Sequence, residues 1–332
     1  MSYIYVTKPG CVIGSEKNRI TIKNHDEGLL QTVPIETVDG IVMLGISQIS
    51  TKCIEDCLKR GISVSFCSQG GRYFGRLLST GHVRTALQRK QAILYDTTFA
   101  LDLGKEILGA KIRNQQVVLR RYASRQQLDV SNQIRQMRIC EKKIEGCYNI
   151  SSMMGYEGQG AKCYFEGMSI CIDPAFRFHG RNRRPPKDEF NALISLGYSR
   201  LMNEVLMELE AHGLNPYFGF LHRDGEYHPT LASDLMEEWR AVLVDATAMS
   251  MLNGHEMQKE DFRMSERGCL LTREGLRKFL GKLERKMNTR VSYFAEAKPK
   301  ISFRTGLSMQ ISTLIKAMEM EDASLYQPLR IR

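Results

Sequence analysis

Between Ser2 and about Leu78 the apolar positions come in short runs, and after Gly81 they recur at the spacing of amphipathic helices. The early runs, Tyr3 to Val6, Arg19 to Lys23, Val38 to Leu44 and Ser63 to Cys67, are rich in Val, Ile and Tyr. Pro9-Gly10, Gly14, Pro34 and Gly70-Gly71 break them. Such runs suit a pleated, half-buried surface, and the breakers set turns, so a small sheet domain is predicted. Ser50 to Arg60 instead predicts one short helix that stops at Gly61, a glycine at the usual C-terminal position. The Gly70-Gly71 pair ahead of Arg72, Tyr73 and Phe74 predicts a hairpin turn. A phosphate cradle would need a helix opening with a Lys-Ser/Thr pair, and none follows.

From His82 to Lys143 glycine and proline thin out, and Leu87, Ala92, Ile93 and Phe99, then Ile107, Ile112, Val117, Val118 and Tyr122, recur at roughly helical spacing. The boundary therefore falls near residue 80, separating a strand-rich domain over 1–80 from a larger helical domain over 81–332. Asn149 to Phe165 predicts a helix with Ser151 or Ser152 as N-cap and with Glu157, Ala161 and Tyr164 on one face. A basic loop, Phe176 to Asn191, stops at Pro185-Pro186. The helix from Asp188 to His212 follows, with Phe190, Leu193, Ile194, Leu201, Val205, Leu206 and Leu209 as its core face and Gly213 as its end. Asn191 and Tyr198 fall on a neighbouring strip of that helix. From Leu231 to Leu252 a further helix places Leu231, Leu235, Trp239, Val242 and Ala246 on an apolar stripe. A short hairpin, Phe262 to Leu271, a basic helix, Thr272 to Asn288, and a final helix, Phe303 to Met318, complete the pattern.

Composition narrows the class. The 332 residues, 42% hydrophobic and 25% charged, are those of a globular protein and exclude a disordered or fibrous chain. A formal net charge of +10 points to a polyanionic partner, most simply nucleic acid. The helices after residue 81 carry much of the excess, including Arg84, Lys111, Arg113, Arg120, Arg121 and Arg125. A solvated face explains many such runs, but the one-sided excess favours phosphate contacts. The nine cysteines form no CxxC pair, and Cys53 and Cys57 share one helix face, so reduced, packed thiols are predicted. No apolar run approaches membrane-spanning length, which predicts a soluble, cytoplasmic protein with no membrane partner.

Candidate chemistry concentrates in Gly219 to Arg240, where His222 stands in a Gly- and Pro-punctuated loop and the next helix opens with Asp234, Glu237 and Glu238. An imidazole beside carboxylates suits a Mg²⁺ or Mn²⁺ site with open positions for phosphodiester chemistry. The plainer alternative is that acidic residues simply favour a helix N-terminus and a loop histidine is surface decoration. Asp234 lies three and four residues from the two glutamates, so spacing alone does not choose between them. Glu157, flanked by Gly158 and Gly160, reads either as a surface glutamate or as one that another backbone or a ligand can approach. Arg181, Arg183, Arg184 and Lys187 of the basic loop, with Arg84 and Arg240, are the candidate DNA contacts.

These stretches together resemble the CRISPR-associated integrases of spacer acquisition, the Cas-one family. The resemblance rests on YEGQGAKCYF, RRPPKDEFNALISLGYSRL, GLNPYFGFLH and LASDLMEEWRAVLVD, in the family's order, with IYVTKPGCVIG, VDGIVMLG and GISVSFCSQGGRYFGRL before them. It implies an α+β chain, an N-terminal β-sandwich serving dimerisation followed by an all-α catalytic domain. It also implies one divalent ion held by Glu157, His222 and Glu237, with Asp234 beside it orienting His222 and Glu238 a bystander. The implied reaction is attack by the 3′-hydroxyl of a foreign DNA fragment on a phosphodiester at the edge of a CRISPR repeat, with metal-dependent endonuclease activity alongside. The implied partners are double-stranded DNA and a homodimer, two of which are bridged by the small Cas-two protein. Ser233 and Ala246 depart from the family pattern, away from the ligands. A non-catalytic DNA-binding scaffold and, less favoured for want of an HExxH helix, a zinc hydrolase are the competing readings.

Overall fold

The structure is a computed structural model that describes residues 2–332 apart from 70–72, 78, 80–82, 184, 223–224, 267 and 294–299. The expected Gly70-Gly71 turn thus lies outside the described residues. The chain forms two compact units, Met1–His82 and Val83–Arg332.

In the first unit, β1 (Ser2–Val6), β5 (Val38–Leu44), β7 (Ser63–Cys67) and β8 (Tyr73–Leu77) form one four-stranded sheet in that spatial order. A second sheet has the order β4 (Gly28–Pro34), β3 (Arg19–Asn24), β2 (Cys11–Glu16), β6 (Ser47–Ile49). Ile4, Ile41 and Val64 from the first sheet and Ile13, Ile20 and Ile22 from the second belong to one buried core. β5 runs parallel to both β1 and β7, and its near-continuous apolar run reflects burial on both faces. β4 is an edge strand and its first residues are exposed. Helix α1 (Thr51–Lys59) is capped by Ser50, whose side chain accepts from Cys53 N–H, and it buries Cys53 and Cys57. Gly61, at φ 70°, follows its C-cap, as its position in the sequence predicts.

The second unit is mainly helical, with α2 (Thr85–Leu94), α3 (Thr98–Gln126), α4 (Ser131–Glu145), α5 (Ile150–Cys171) and α6 (Glu189–Ala211) leading to α7 (Thr230–Trp239). A π-helical turn, Arg240–Asp245, joins α7 to α8 (Ala246–Asn253). Then come β9 (Phe262–Ser265), β10 (Gly268–Leu271), α9 (Arg273–Met287), β11 (Arg290–Val291), β12 (Ile301–Ser302) and α10 (Phe303–Met320). The unit is therefore not all-α, since β9–β10 and β11–β12 form two small antiparallel ladders. No helix among the described residues is long and apolar enough to cross a membrane.

Two local expectations change. The N-cap of α5 is Asn149, whose side chain accepts from Ser152 N–H, because the helix starts at Ile150, two residues earlier than Ser151 as a cap would allow and three earlier than Ser152 would. The other concerns α7, every residue of which is buried, so the predicted apolar stripe with acids at its margin does not exist. A helix enclosed on all sides must give each polar side chain a specific partner. The glycines of α5 divide by role. A Cβ at Gly160 would meet Ile112 at 3.3 Å, and one at Gly167 would meet Leu119 at 2.6 Å, so these two let α3 pack closely.

Candidate active site

Asp234, on the second turn of α7, organises the loop before the helix. Its Oδ2 accepts from the backbone N–H groups of Phe220 (2.6 Å) and Leu221 (3.0 Å). Its Oδ1 accepts from His222 N–H (3.0 Å) and faces His222 Nδ1 at 2.7 Å. Gly219 lies just upstream, where its N–H donates to Thr230 Oγ1 and a Cβ would fall 2.8 Å from the Thr230 backbone. Because a carboxylate only accepts, Nδ1 is the protonated nitrogen of His222 and Nε2 is left to face Glu237 Oε1 at 3.8 Å. Burial opposes charge on His222, but the Asp234 hydrogen bond and the charges of Asp234 and Glu237 prevail and raise its pKa above the usual 6.5.

Glu237, one turn after Asp234, is buried. Arg240 Nη2 lies 3.1 Å from its Oε1 and Lys111 Nζ lies 2.5 Å from its Oε2, the latter without hydrogen-bond geometry. Burial would push this carboxyl up, but Arg240, Lys111 and His222 outweigh it and hold the pKa far below the usual range. Glu157 reaches the same place from α5, where it accepts from Lys111 Nζ. It is half-buried and points inward, not the surface glutamate of the plainer reading. Lys111, from α3, thus stands between the two carboxylates, and their charges keep its pKa raised despite the burial that opposes it.

Glu157, His222 and Glu237 come together from three elements. Among the described residues no three acidic, histidine or cysteine side chains already stand close enough to hold an ion as a set. The donors nevertheless fit a hard divalent ion. Glu237 Oε2 is buried without a hydrogen bond, and His222 Nε2 and Glu237 Oε1 at 3.8 Å are spaced as two ligands about 2.1 Å from a shared ion can be. A cation, the Lys111 ammonium, already lies between the carboxylates.

Glu238 faces the opposite way. Its carboxyl accepts from Tyr326 O–H (2.6 Å), Gln310 Nε2 (2.5 Å) and Leu329 N–H (2.6 Å), which fastens α10 and the C-terminal segment to α7. Complete burial pushes its pKa up to about 8 in spite of those three donors. It takes no part in the carboxylate cluster, and its role is to anchor those segments.

Behind Glu237, Arg240 lies over the Tyr198 ring, 5.0 Å from its centroid. Tyr198 and Tyr164 both donate to the buried Asp245, at 2.6 and 3.1 Å, and burial raises Asp245 to about 6. Arg181 lies against the other part of this cluster, 5.5 Å from the Tyr198 centroid. Its guanidinium donates to Asn191 Oδ1 (2.8 Å) and Ser195 Oγ (3.1 Å), so it shapes the basic loop. Asn191 completes that loop by donating to Gly180 O and accepting from Asn182 N–H. Arg183 and Lys187 are exposed, Arg184 lies outside the described residues, and Arg84 pairs with Glu319 on α10. Of the candidate DNA contacts among the described residues, only Arg240 stands at the carboxylates.

Lys111 is the site residue that the sequence reading placed elsewhere, among basic helix positions facing phosphate. The signal was there: Lys111 follows Ile107 by four residues and precedes Asn114 and Val118 by three and seven, which puts it on the buried face of α3. Arg113 and Arg120, off that stripe, are exposed.

The family described as CRISPR associated protein Cas1 matches residues 4–285. Over 323 residues the chain is 33% identical to a CRISPR-associated endonuclease Cas1 of Mycobacterium tuberculosis, covering 96% of this chain and 94% of that one. A casposase bound to integration product shares the fold with a TM-score of 0.86 at 21% identity, covering 100% of this chain and 96% of that chain. A chain of a Cas6-RT-Cas1–Cas2 complex shares it with a TM-score of 0.84 at 24% identity, covering 100% of this chain, which spans only 36% of that longer one.

Proposed function

The chain belongs to the Cas1 family of CRISPR-associated proteins, and from that premise we propose a DNA endonuclease and integrase that joins 3′-hydroxyl ends of foreign DNA fragments into a CRISPR repeat array. The observation that carries this reading is the approach of Glu157, His222 Nε2 and Glu237 from three elements to one place where positive charge belongs. Glu157, His222 and Glu237 would hold one Mg²⁺ or Mn²⁺, which when bound polarises the scissile phosphoryl oxygen and stabilises the charge that develops on it.

The chain's own residues set this up. Asp234 fixes the His222 ring and its protonated nitrogen, so that Nε2 keeps a lone pair toward Glu237. Arg240 and Lys111 hold Glu237 ionised inside a buried helix, where an uncompensated carboxylate would take up a proton. The exposed Arg183 and Lys187, on the loop shaped by Arg181 and Asn191, would contact the DNA backbone by charge alone and position it without reading sequence.

The proposed partners are double-stranded DNA, a second copy of the chain docked through a β-sandwich formed by the strand-rich unit, and Cas2 bridging two such dimers in a prokaryotic cytoplasm. The names of the structural relatives, a casposase bound to integration product and a complex containing Cas2, support this. A scaffold that merely binds DNA would leave these carboxylates as surface charge, and Glu237 is instead buried between two cations.

The test is strand transfer of a labelled short duplex with free 3′ ends into a supercoiled plasmid carrying a repeat array, with and without Cas2, in Mg²⁺, Mn²⁺ or chelator. Joined product that needs the ion and is lost in Glu157→Ala and His222→Ala is the expected outcome. Joining that persists at the wild-type rate in His222→Ala would overturn the assignment.

A further inference from the structure

Lys111 is buried, its ammonium contacts Glu157 and Glu237 together, and it reaches them from α3, while those carboxylates come from α5 and α7. Two carboxylates this close to one point repel each other unless a cation lies between them. Among the described residues Arg240 also pairs with Glu237, but on Oε1, leaving Oε2 to Lys111. Lysine suits a replaceable cation. Its ammonium is a point charge on a four-carbon stem that can rotate away, whereas a guanidinium would grip a carboxylate through two fixed bonds.

We propose that Lys111 is an internal stand-in cation, which holds Glu157 and Glu237 together until a divalent ion displaces its ammonium. The proposal rests on the metal reading of this site and adds that the ion binds by exchange. Lys111 is then a positioning residue that keeps the site assembled while metal-free, and it lowers apparent metal affinity because the incoming ion must first remove an existing positive charge.

The experiment uses the full-length protein and Mn²⁺ alone. Binding to wild type, Lys111→Met and Lys111→Gln is measured by calorimetry and by the electron paramagnetic resonance of free Mn²⁺, and melting is followed with and without the ion. The expected result is that both variants melt lower than wild type when metal-free, bind Mn²⁺ about ten-fold tighter or more because a competing charge has gone, and recover stability as they load. Wild-type binding with equal or weaker affinity in the folded variants would overturn the exchange while leaving the metal reading intact. Absence of Mn²⁺ binding in all three proteins would overturn the metal reading and the proposal with it. Amine footprinting of wild type by mass spectrometry needs no variant to fold. Acylation of Lys111 that rises with Mn²⁺ supports exchange, and acylation indifferent to the ion overturns it.

Discussion

Replacing Asp234 with asparagine keeps the size and shape of a fully buried side chain but removes its charge and makes one of its two acceptors a donor. Four contacts converge on that carboxylate, three from backbone N–H groups of residues 220 to 222 and one from His222 Nδ1. In Asp234→Asn the amide nitrogen must face either Phe220 and Leu221 or His222, so at least one donor pair is set against another donor. Leaving buried donors unpaired costs about 1–3 kcal/mol each, which is enough to shift the His222 loop or to reverse the ring nitrogens. Loss of a partner that orients a ligating histidine typically costs about 10–100-fold in metal affinity or activity. The assay is nuclease and strand-transfer rate in Mn²⁺, paired with a histidine NMR titration. Joining should fall about 10–100-fold, and the His222 pKa should drop, because burial remains while the hydrogen bond and charge that oppose it are gone. A variant with the wild-type joining rate and an unmoved His222 titration would refute the claim that Asp234 acts through His222.

Three further outcomes follow from the packing. Asp245 is raised to about 6 from an ordinary 3.8, so the folded state holds the proton more tightly. The stabilisation is fully present below the unfolded value and is lost as pH rises from there through 6, a shift of about two units worth about 3 kcal/mol. Asp245→Asn should therefore gain on wild type between pH 4 and pH 7 in chemical unfolding, and a gap constant with pH would reject this. Glu238→Ala strands the Tyr326 and Leu329 donors of the C-terminal segment and the Gln310 donor of α10 and should cost about 3 kcal/mol or more, whereas Glu238→Gln keeps acceptor capacity and should cost markedly less, as read from denaturation midpoints. Gly268 has φ 90° and a Cβ there would fall 2.3 Å from Pro186 O, so Gly268→Ala should lower the melting temperature by several degrees and loosen the basic loop, seen as faster proteolysis there.

Much of the architecture is local and is legible in the sequence. A change from short β-branched runs to helical spacing near residue 80 reflects the differing side-chain periods of strand and helix, and α1 was bounded by Ser50 and Gly61 because caps act within a few residues. The same locality explains the core face of α6, where the named apolar residues are buried. Even the identity of the family lay in ordered motifs, and that resemblance, not spacing, singled out Glu237.

What the sequence could not decide was which way a buried polar group turns. Glu237 and Glu238 are adjacent, about 100° apart on the helix, and nothing local distinguishes them. Packing does, because α7 is enclosed on every side: Glu237 faces α3 and α5 through Lys111 and Glu157, while Glu238 faces Gln310, Tyr326 and Leu329. The period of α3 could tell that Lys111 is buried, but which carboxylates it meets appears only when α5 and α7 are laid against α3. Charge and periodicity are properties of a segment and are written in it. Pairing buried charges depends on which remote segments share an interior, and only the tertiary structure sets that.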